Sequence, residues 1–317
     1  MEIESNRNRS KEGETIVKES NVILFQDVVK TRENIQVGPL NIQIPQGCVT
    51  AIVGTNGSGK TTLLGMCMGF VHPDQGAISI FQEQIQLEHD AALKTRIGFV
   101  GEHPNSDDND WTADQLATFT AQWYPKWDWQ FYQHYMAKYE IPPKQKLHKL
   151  SKGMRRKLDL IIAMSPQPEL LLLDEPSSGL DPLSWRMMID DMHRYLQDGK
   201  RSIVIATHII EEVKRLADYI LFMYKGQVLQ MVEKDAMFDA WKEFLVGGEA
   251  EDYNHVPGLA RAIQERYGVR LIANNARKLE AFLQENEIPT LQTKGLELDD
   301  ILAYLIELNN EGRTIRR

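Results

Sequence analysis

The sequence predicts an α/β fold in which helices cover both faces of a parallel sheet. Short apolar runs of strand length alternate along the chain with helix patterns, which is typical of such a sheet. A glycine-rich loop leads from one run directly into a helix, and a longer helical block interrupts the alternation once. The runs and the helices that follow them are 48–53 with 63–69, 170–173 with 183–197, and 203–207 with 209–217. Further short strands are expected at 22–28, 42–44, 77–81 and 97–100.

The expected domains follow from shifts in composition along the chain. Residues 1–20 are polar and lack the apolar stretch of a secretory signal, so we expect a flexible leader. The main domain spans 21–242, and a helical subdomain at about 104–165 is inserted into it. A small α+β appendage over 243–317 includes the linker-like segment 247–255. The elements expected in it are helix 258–267, strand 269–273, helix 276–286, strand 289–293 and helix 298–309.

Composition excludes several classes of protein. The chain has 317 residues, of which 42% are hydrophobic and 26% charged, so it can bury a core as one large domain or two ordinary ones. Its 36 Lys and Arg residues against 45 Asp and Glu give a net charge of −9, which argues against nucleic acid as a partner. Two cysteines are too few for a disulfide framework or a four-cysteine zinc site. No run approaches a membrane span of about 18 apolar residues, so we expect any membrane association to come through a partner.

A phosphate-binding loop follows the strand at 48–53. Residues 54–61 match the pattern G-x-x-x-x-G-K-[ST] in the strand–loop–helix context that it requires. Glycines let backbone N–H groups approach phosphate oxygens, and the positive end of the following helix faces the same anion. We expect Lys60 to contact the β- and γ-phosphates of ATP and Thr61 to hold Mg²⁺. The expected binding residues are Gly54, Thr55, Asn56, Gly57, Ser58, Gly59, Lys60, Thr61 and Thr62.

Two carboxylates end the apolar strand at 170–173. Asp174 is placed to reach Mg²⁺, and Glu175, the next residue, is placed to polarise the attacking water. Both lie where a strand meets a loop, which is the usual location of sites in α/β folds. The alternative is that the pair only caps the next turn, but the phosphate loop upstream favours the catalytic interpretation.

Three further motifs occur in the order that the ATP-binding-cassette (ABC) ATPase family uses, and the chain resembles that family over about residues 20–240. Residues 150–154 read LSKGM, which is similar to the LSGGQ signature. Residues 177–181, SSGLD, are similar to the family's D-loop, and His208 matches its switch histidine. The resemblance implies a P-loop NTPase cassette with an inserted helical subdomain.

The resemblance also implies how these residues work. Ser151 and Gly153 start a helix that would contact the γ-phosphate bound to a second cassette, identical or different, so one chain holds half of each active site. Asp181 of the D-loop would be a further nucleotide-binding residue. His208 would hold the γ-phosphate of its own subunit and join Glu175 and Lys60 in catalysis.

The sequence departs from the family at several positions. Lys152 and Met154 replace a Gly and the Gln of the signature. Glu102 occupies the position of the family's Q-loop Gln. Its side chain could reach Mg²⁺ or a water molecule, and the alternative is that it points to solvent. The family's adenine-stacking aromatic residue is expected near 30–33, but none occurs there. Arg32 could stack on the base through its planar guanidinium group instead. The basic run 155–157 is either a solvated face or an added attraction for the phosphate of the partner cassette.

An aromatic-rich segment is a candidate contact surface for a partner protein. Four of the six Trp residues fall between 111 and 129, where they form the core of the helical subdomain or, in part, a surface that docks a membrane permease. The segment resembles cassette subunits of small bacterial exporters. We therefore expect an ATPase subunit that is cytoplasmic and peripheral on the inner face of the membrane. The alternative is a soluble, non-transport ABC ATPase acting in an assembly process; a silent nucleotide sensor would lack Glu175 or His208.

Overall fold

The computed structural model describes residues 20–32, 35–85, 90–103 and 110–312. All of the expected leader except Ser20, and the start of the expected helical subdomain at about 104, lie outside the described residues. The strands are β1 (Asn21–Arg32), β2 (Ile35–Pro45), β3 (Val49–Gly54), β4 (Gln75–Ile80), β5 (Glu83–Gln84), β6 (Ile97–Val100), β7 (Leu170–Asp174), β8 (Ser202–Thr207), β9 (Tyr219–Tyr224), β10 (Gln227–Glu233), β11 (Lys242–Val246), β12 (Leu259–Glu265), β13 (Gly268–Ala273) and β14 (Thr290–Gly295). The α-helices are α1 (Lys60–Cys67), α2 (Ala91–Lys94), α3 (Ala113–Ala121), α4 (Trp129–Lys138), α5 (Lys152–Met164), α6 (Pro182–Tyr195), α7 (Ile210–Leu216), α8 (Lys234–Ala240), α9 (Ala276–Glu285) and α10 (Leu298–Asn310).

A six-stranded sheet forms the centre of the main domain. Its order is β10-β9-β3-β8-β7-β6, and all strands except the antiparallel edge strand β10 run parallel. Successive side chains of β3 enter opposite cores, with Ala51 and Val53 on one face and Ile52 on the other. This alternation explains the continuous apolar runs of the sequence, because a strand buried on both faces needs apolar residues at every position. The predicted parallel sheet is confirmed.

A second, antiparallel sheet with the order β2-β1-β4-β5 lies over one face of the central sheet. Helix α1 shares a buried core with both sheets through Leu63 and Leu64. Strands β1 and β2 extend well beyond the expected 22–28 and 42–44. Polar residues on the exposed face and the Gly38-Pro39 step interrupt their apolar pattern, which hid their length in the sequence.

Helices α3, α4 and α5 separate β6 from β7, as the predicted helical insertion requires. A buried carboxylate attaches this insertion to the main domain. Asp191 of α6 receives hydrogen bonds from Lys138 Nζ of α4 at 2.5 Å and from the hydroxyl of Tyr139, and Arg194 completes the group at 2.8 Å. No helix within the described residues is both long and apolar enough to cross a membrane.

The C-terminal region holds a third sheet, with the order β12-β13-β11-β14. The expected helix at 258–267 is wrong, since β12 occupies it. Its Ala, Arg and Gln residues favour helix locally, but pairing with β13 overrides that preference. The linker interpretation of 247–255 is also wrong, because this segment joins β11 to β12 within one sheet and buries Tyr253. The other expected elements of this region, strand β13, helix α9, strand β14 and helix α10, are confirmed.

Strand β11 begins at Lys242 and pairs with both β13 and β14, so the third sheet starts within a residue of the expected boundary between 242 and 243. The domain bounds themselves remain a prediction.

Candidate functional site

The loop between β3 and α1 has the strand–loop–helix geometry that the phosphate-loop pattern predicts. Gly59, the residue before α1, has a φ of 106°, which a residue with a side chain adopts only under strain. At Gly54 a Cβ atom would lie 2.2 Å from the carbonyl oxygen of Met223, so the last residue of β3 has to be glycine. Thr55, Asn56 and Gly57 are exposed, so the outer side of the loop is open to a ligand.

The ammonium group of Lys60 lies inside this loop. Its Nζ atom donates to the carbonyl oxygens of Gly54 at 2.9 Å and Thr55 at 3.3 Å, and the residue is 7% exposed. Ser58 is also buried, and Thr62 is half-buried on the first turn of α1. A positive charge in a loop whose backbone N–H groups lead into a helix start can form an anion site.

The side chains of Thr61 and Asp174 meet next to the loop. Asp174 is 1% exposed, and its Oδ1 atom has no hydrogen-bond partner among the described residues. Burial raises the pKa of this carboxyl group, and a hydrogen bond with the Thr61 side chain opposes the rise. A hydroxyl and a carboxylate with a free oxygen suit Mg²⁺, which prefers oxygen ligands and retains waters and phosphate oxygens. The described residues contain no cluster of three or more His, Cys, Asp or Glu side chains able to hold a metal ion.

The two expected catalytic residues Glu175 and His208 are in contact. His208 Nδ1 lies 2.9 Å from Glu175 Oε2, and the Glu175 side chain is 13% exposed while that of His208 is 62% exposed. Glu175 has a φ of 47°, and its N–H donates to the carbonyl oxygen of Ala206 at 2.9 Å. A left-handed conformation at a residue with a side chain costs about 1–2 kcal/mol, and it is often found at functional sites. The fold therefore holds Glu175 in a backbone conformation that costs free energy.

Arg156 of α5 holds the loop that carries these carboxylates. Its guanidinium group donates to four carbonyl oxygens: Pro176 at 2.9 Å, Gly101 at 2.5 Å, Asp174 at 2.6 Å, and Glu175. Burial lowers the pKa of this arginine, and nearby carboxylates, Asp174 among them, oppose the shift. The signature helix is therefore tied directly to the end of β7.

This contact corrects the interpretation of 155–157, because neither a solvated face nor a phosphate-attracting surface describes Arg155 and Arg156. Both are buried, and Arg155 Nε lies 3.0 Å from Asp159 Oδ1. Sequence reasoning missed Arg156, although a signal existed. It precedes the buried Leu160 by four residues, so the helical period already placed it on the buried face.

The signature and the D-loop lie against one another. Ser151 is exposed at the start of α5, and its hydroxyl accepts a hydrogen bond from Met154 N at 3.1 Å. A Cβ atom at Gly153 would approach the carbonyl oxygen of Gly179 to 3.1 Å, and the stem of Lys152 crosses Gly179. Ser151, Lys152 and Gly179 are exposed and Gly153 is half-buried, so the surface at the start of α5 is partly open.

Asp181 caps α6 at the end of the D-loop. Its carboxylate accepts from Ser184 N at 2.9 Å and from the Ser184 hydroxyl at 2.6 Å, and these hydrogen bonds hold its pKa below the ordinary value. Among the described residues, the hydrogen bonds of Ser151 and Asp181 stay within their own helices, and none reaches the phosphate loop. Within one chain these residues are therefore not joined to the site around Lys60.

Glu102 follows β6 near this site. Its side chain is 49% exposed, and its charge contributes to the raised pKa of Asp174. Near the expected adenine position, Lys30 is ion-paired with Asp74 at 2.7 Å and Arg32 is exposed at the end of β1. The binding roles of Glu102 and Arg32 remain predictions.

Comparison with known proteins supports the resemblance to the ABC ATPase family. A family model described as ABC transporter matches residues 37–178. The Nod factor export ATP-binding protein I of Burkholderia orbicola (strain AU 1054) is 33% identical over 210 residues, which cover 64% of this chain and 68% of that protein.

Two solved structures share the fold. The cbiO1 protein from Clostridium perfringens, part of the ABC transporter complex cbiONQ, has a TM-score of 0.57 and 23% identity over 68% of this chain and 89% of that chain. The ATP-binding cassette MJ0796, solved as a dimer bound to ADP and Pi in a post-hydrolysis state, has a TM-score of 0.59 and 21% identity over 67% of this chain and 98% of that one. Both likenesses confirm the predicted α/β cassette fold.

Proposed function

The chain belongs to the ABC transporter family as an ATP-hydrolysing, ATP-binding subunit, and we propose that it powers export through a separate membrane permease. The observation that carries the mechanism is the contact of Glu175 with His208 at the carboxyl ends of β7 and β8, the strand edge at which β3 leads into the phosphate loop. The direction of transport is proposed from the Nod factor export protein, whose name states export for that relative.

Each residue of the site has its own proposed role in ATP hydrolysis. Lys60 and the loop N–H groups hold the β- and γ-phosphates of ATP. Thr61 and Asp174 would hold Mg²⁺, which would supply positive charge to neutralise the phosphates. Glu175 orients the attacking water and accepts its proton, and His208 positions both Glu175 and the γ-phosphate. Glu102, at the edge of the site, is proposed to contact the ion or its water.

The other half of each site comes from a second cassette. Ser151 and Gly153 lie on a partly open surface beside the D-loop, and the free N–H groups at the start of α5 suit a phosphate bound to a partner. Asp181 lies at the end of the same loop. MJ0796, which has the same fold, was solved as a dimer with ADP and Pi. ATP would therefore join two cassettes, and hydrolysis would release them.

Exposed aromatic side chains of the helical insertion are the proposed permease contact. Phe119 is 47% exposed and Trp123 is 65% exposed, and their ring centroids lie 6.4 Å apart. Trp111 packs against Phe119 at 5.0 Å, so these rings form one surface, here called the aromatic patch (Trp111, Phe119 and Trp123). Exposed aromatic groups of this kind are enriched at protein interfaces. A permease contact would hold the subunit at the inner face of the membrane.

The test is affinity purification of the tagged chain from detergent-solubilised membranes of the cells that make it. The proposal expects recovery of a protein with several membrane spans, and its loss in a Phe119→Ala, Trp123→Ala double variant. Leu291→Ala, which removes an exposed apolar side chain of β14, is the control and should keep the partner. Recovery of soluble proteins only would contradict the transport proposal and favour the assembly alternative.

A further inference from the structure

A buried glutamate outside the expected site lies behind the two catalytic loops. Glu212 is 0% exposed in α7, four residues after His208. Neither of its carboxyl oxygens has a hydrogen-bond partner among the described residues. Glutamate is almost never fully buried unless it is paired, so this position needs a physical reason.

Two hydroxyl groups from the catalytic loops face the carboxyl group of Glu212. Ser177 follows Glu175 by two residues, and Thr207 directly precedes His208; both hydroxyls lie near enough to lower the pKa of the Glu212 carboxyl, although neither is in hydrogen-bond geometry with it. Ser177 Oγ is itself buried without a partner among the described residues, and Thr207 Oγ1 accepts from Ile209 N at 3.0 Å. Glu212 therefore stands between the loop after β7 and the loop after β8.

Burial is the main reason why the surroundings of Glu212 favour its neutral form. Burial raises the pKa of its carboxyl group; the hydroxyls of Ser177 and Thr207 lower it, Glu175 raises it and His208 lowers it, and the net shift is upward. Helix α6 packs on α7. Its Arg186 lowers the pKa of the exposed Glu211 rather than that of Glu212, and the ring of its His193 contacts the carbonyl oxygen of Arg215.

An ionised carboxylate without a cation is costly in such a place, so burial favours the protonated form of this group. A neutral carboxyl group can donate one hydrogen bond and accept others.

We propose that Glu212 is a positioning residue for ATP hydrolysis, which as a neutral acid bridges Ser177 and Thr207 and so holds the loop of Glu175 against the loop of His208. The proposal rests on the proposed roles of Glu175 and His208. The bridge needs both the length and the hydrogen-bonding capacity of the side chain. Glutamine preserves both without ever ionising, whereas methionine preserves only the length.

The test compares ATP hydrolysis by the full chain and its variants at saturating ATP and Mg²⁺. For Glu212→Met we expect kcat to fall at least about tenfold with KM changed less than about threefold, and for Glu212→Gln we expect kcat within about threefold of wild type. Glu211→Gln makes the same chemical change one residue away on the exposed side of α7, and it should leave kcat unchanged. Wild-type turnover in Glu212→Met, or equal losses in both Glu212 variants, would overturn the proposal.

The pH profile provides a second readout that does not depend on the methionine variant folding. Wild type and Glu212→Gln should share one profile between about pH 6 and 8, since neither carries a charge at this position. A shifted profile in Glu212→Gln would show an ionised Glu212 and overturn the neutral bridge. Normal turnover in Glu175→Gln would instead remove the proposed role of Glu175. Normal turnover in Glu212→Met beside an inactive Glu175→Gln would overturn this inference alone.

Discussion

His208 Nδ1 lies 2.9 Å from Glu175 Oε2, and the register of two neighbouring strands explains why. In the parallel pair β7 and β8, Asp174 lies opposite Ala206, so the residues that follow the two strands meet at one edge of the sheet. The N–H of Glu175 continues that pairing by donating to Ala206. The contact between the two functional side chains is therefore a consequence of strand register.

The first prediction concerns His208. Replacing it with Ala removes the ring that contacts Glu175 and that we propose holds the γ-phosphate, so we expect kcat to fall about 10²–10³-fold while ATP still binds. Steady-state hydrolysis at several ATP concentrations separates kcat from KM. The matched control is His193→Ala on α6, which should hydrolyse ATP normally. Equal activities in the two variants would exclude a catalytic role for His208.

The second prediction concerns Lys60. Its ammonium group lies within the loop, against the carbonyl oxygens of Gly54 and Thr55, so Lys60→Ala removes the positive charge from the anion site. We expect at least about a tenfold loss of ATP affinity, since a charged hydrogen bond contributes about 1.5–3 kcal/mol. Calorimetric titration measures this directly. Lys294→Ala, which removes an exposed lysine of β14, should bind ATP as wild type does, and normal affinity in Lys60→Ala would refute the phosphate-loop assignment.

The third prediction concerns Arg156. Arg156→Lys keeps the charge but cannot satisfy the four carbonyl oxygens that the guanidinium group reaches, including those of Gly101 and Asp174. We expect a loss of about 1–3 kcal/mol in the free energy of unfolding, together with lower kcat as the Glu175 loop loosens. Urea unfolding and ATP hydrolysis measure the two effects. Lys157→Arg, the reverse exchange at the next position, is the control; unchanged stability in Arg156→Lys would contradict the assigned contacts.

The fourth prediction concerns pH. Arg96 donates to both carboxylate oxygens of Glu169 at 2.9 Å, and these bonds hold the pKa of Glu169 below its ordinary value of 4.5. The pair therefore stabilises the fold above about pH 4.5, and this contribution is lost as the pH falls through the lower folded-state pKa. Both side chains are about one-third exposed, so the effect is below about 1 kcal/mol.

Urea unfolding of wild type and Glu169→Gln should show a difference in stability near neutral pH that shrinks in acid. A difference that grows as the pH falls would have the wrong sign for this pair.

Local patterns predicted the parts of the site that lie on contiguous residues. The phosphate loop and the pair Asp174 and Glu175 each need only a short motif after an apolar run, so the sequence was sufficient to locate them. Arg156 acts through contacts with loops that lie far from it along the chain, and the basic run in which it occurs suggested surface charge. Strand β12 was missed for the same reason, because only its pairing with β13 identifies it as a strand.

The most direct test of the account is the Glu175→Gln variant in the presence of ATP and Mg²⁺. Removing the carboxylate leaves the phosphate loop intact, so the account predicts normal ATP binding, no phosphate release, and an ATP-dependent dimer of twice the mass by light scattering. Glu211→Gln, which neutralises an exposed carboxylate three residues after His208, is measured in parallel to show that loss of a nearby charge is not sufficient. Unchanged phosphate release in Glu175→Gln would contradict the central claim that Glu175, held by His208, activates the attacking water.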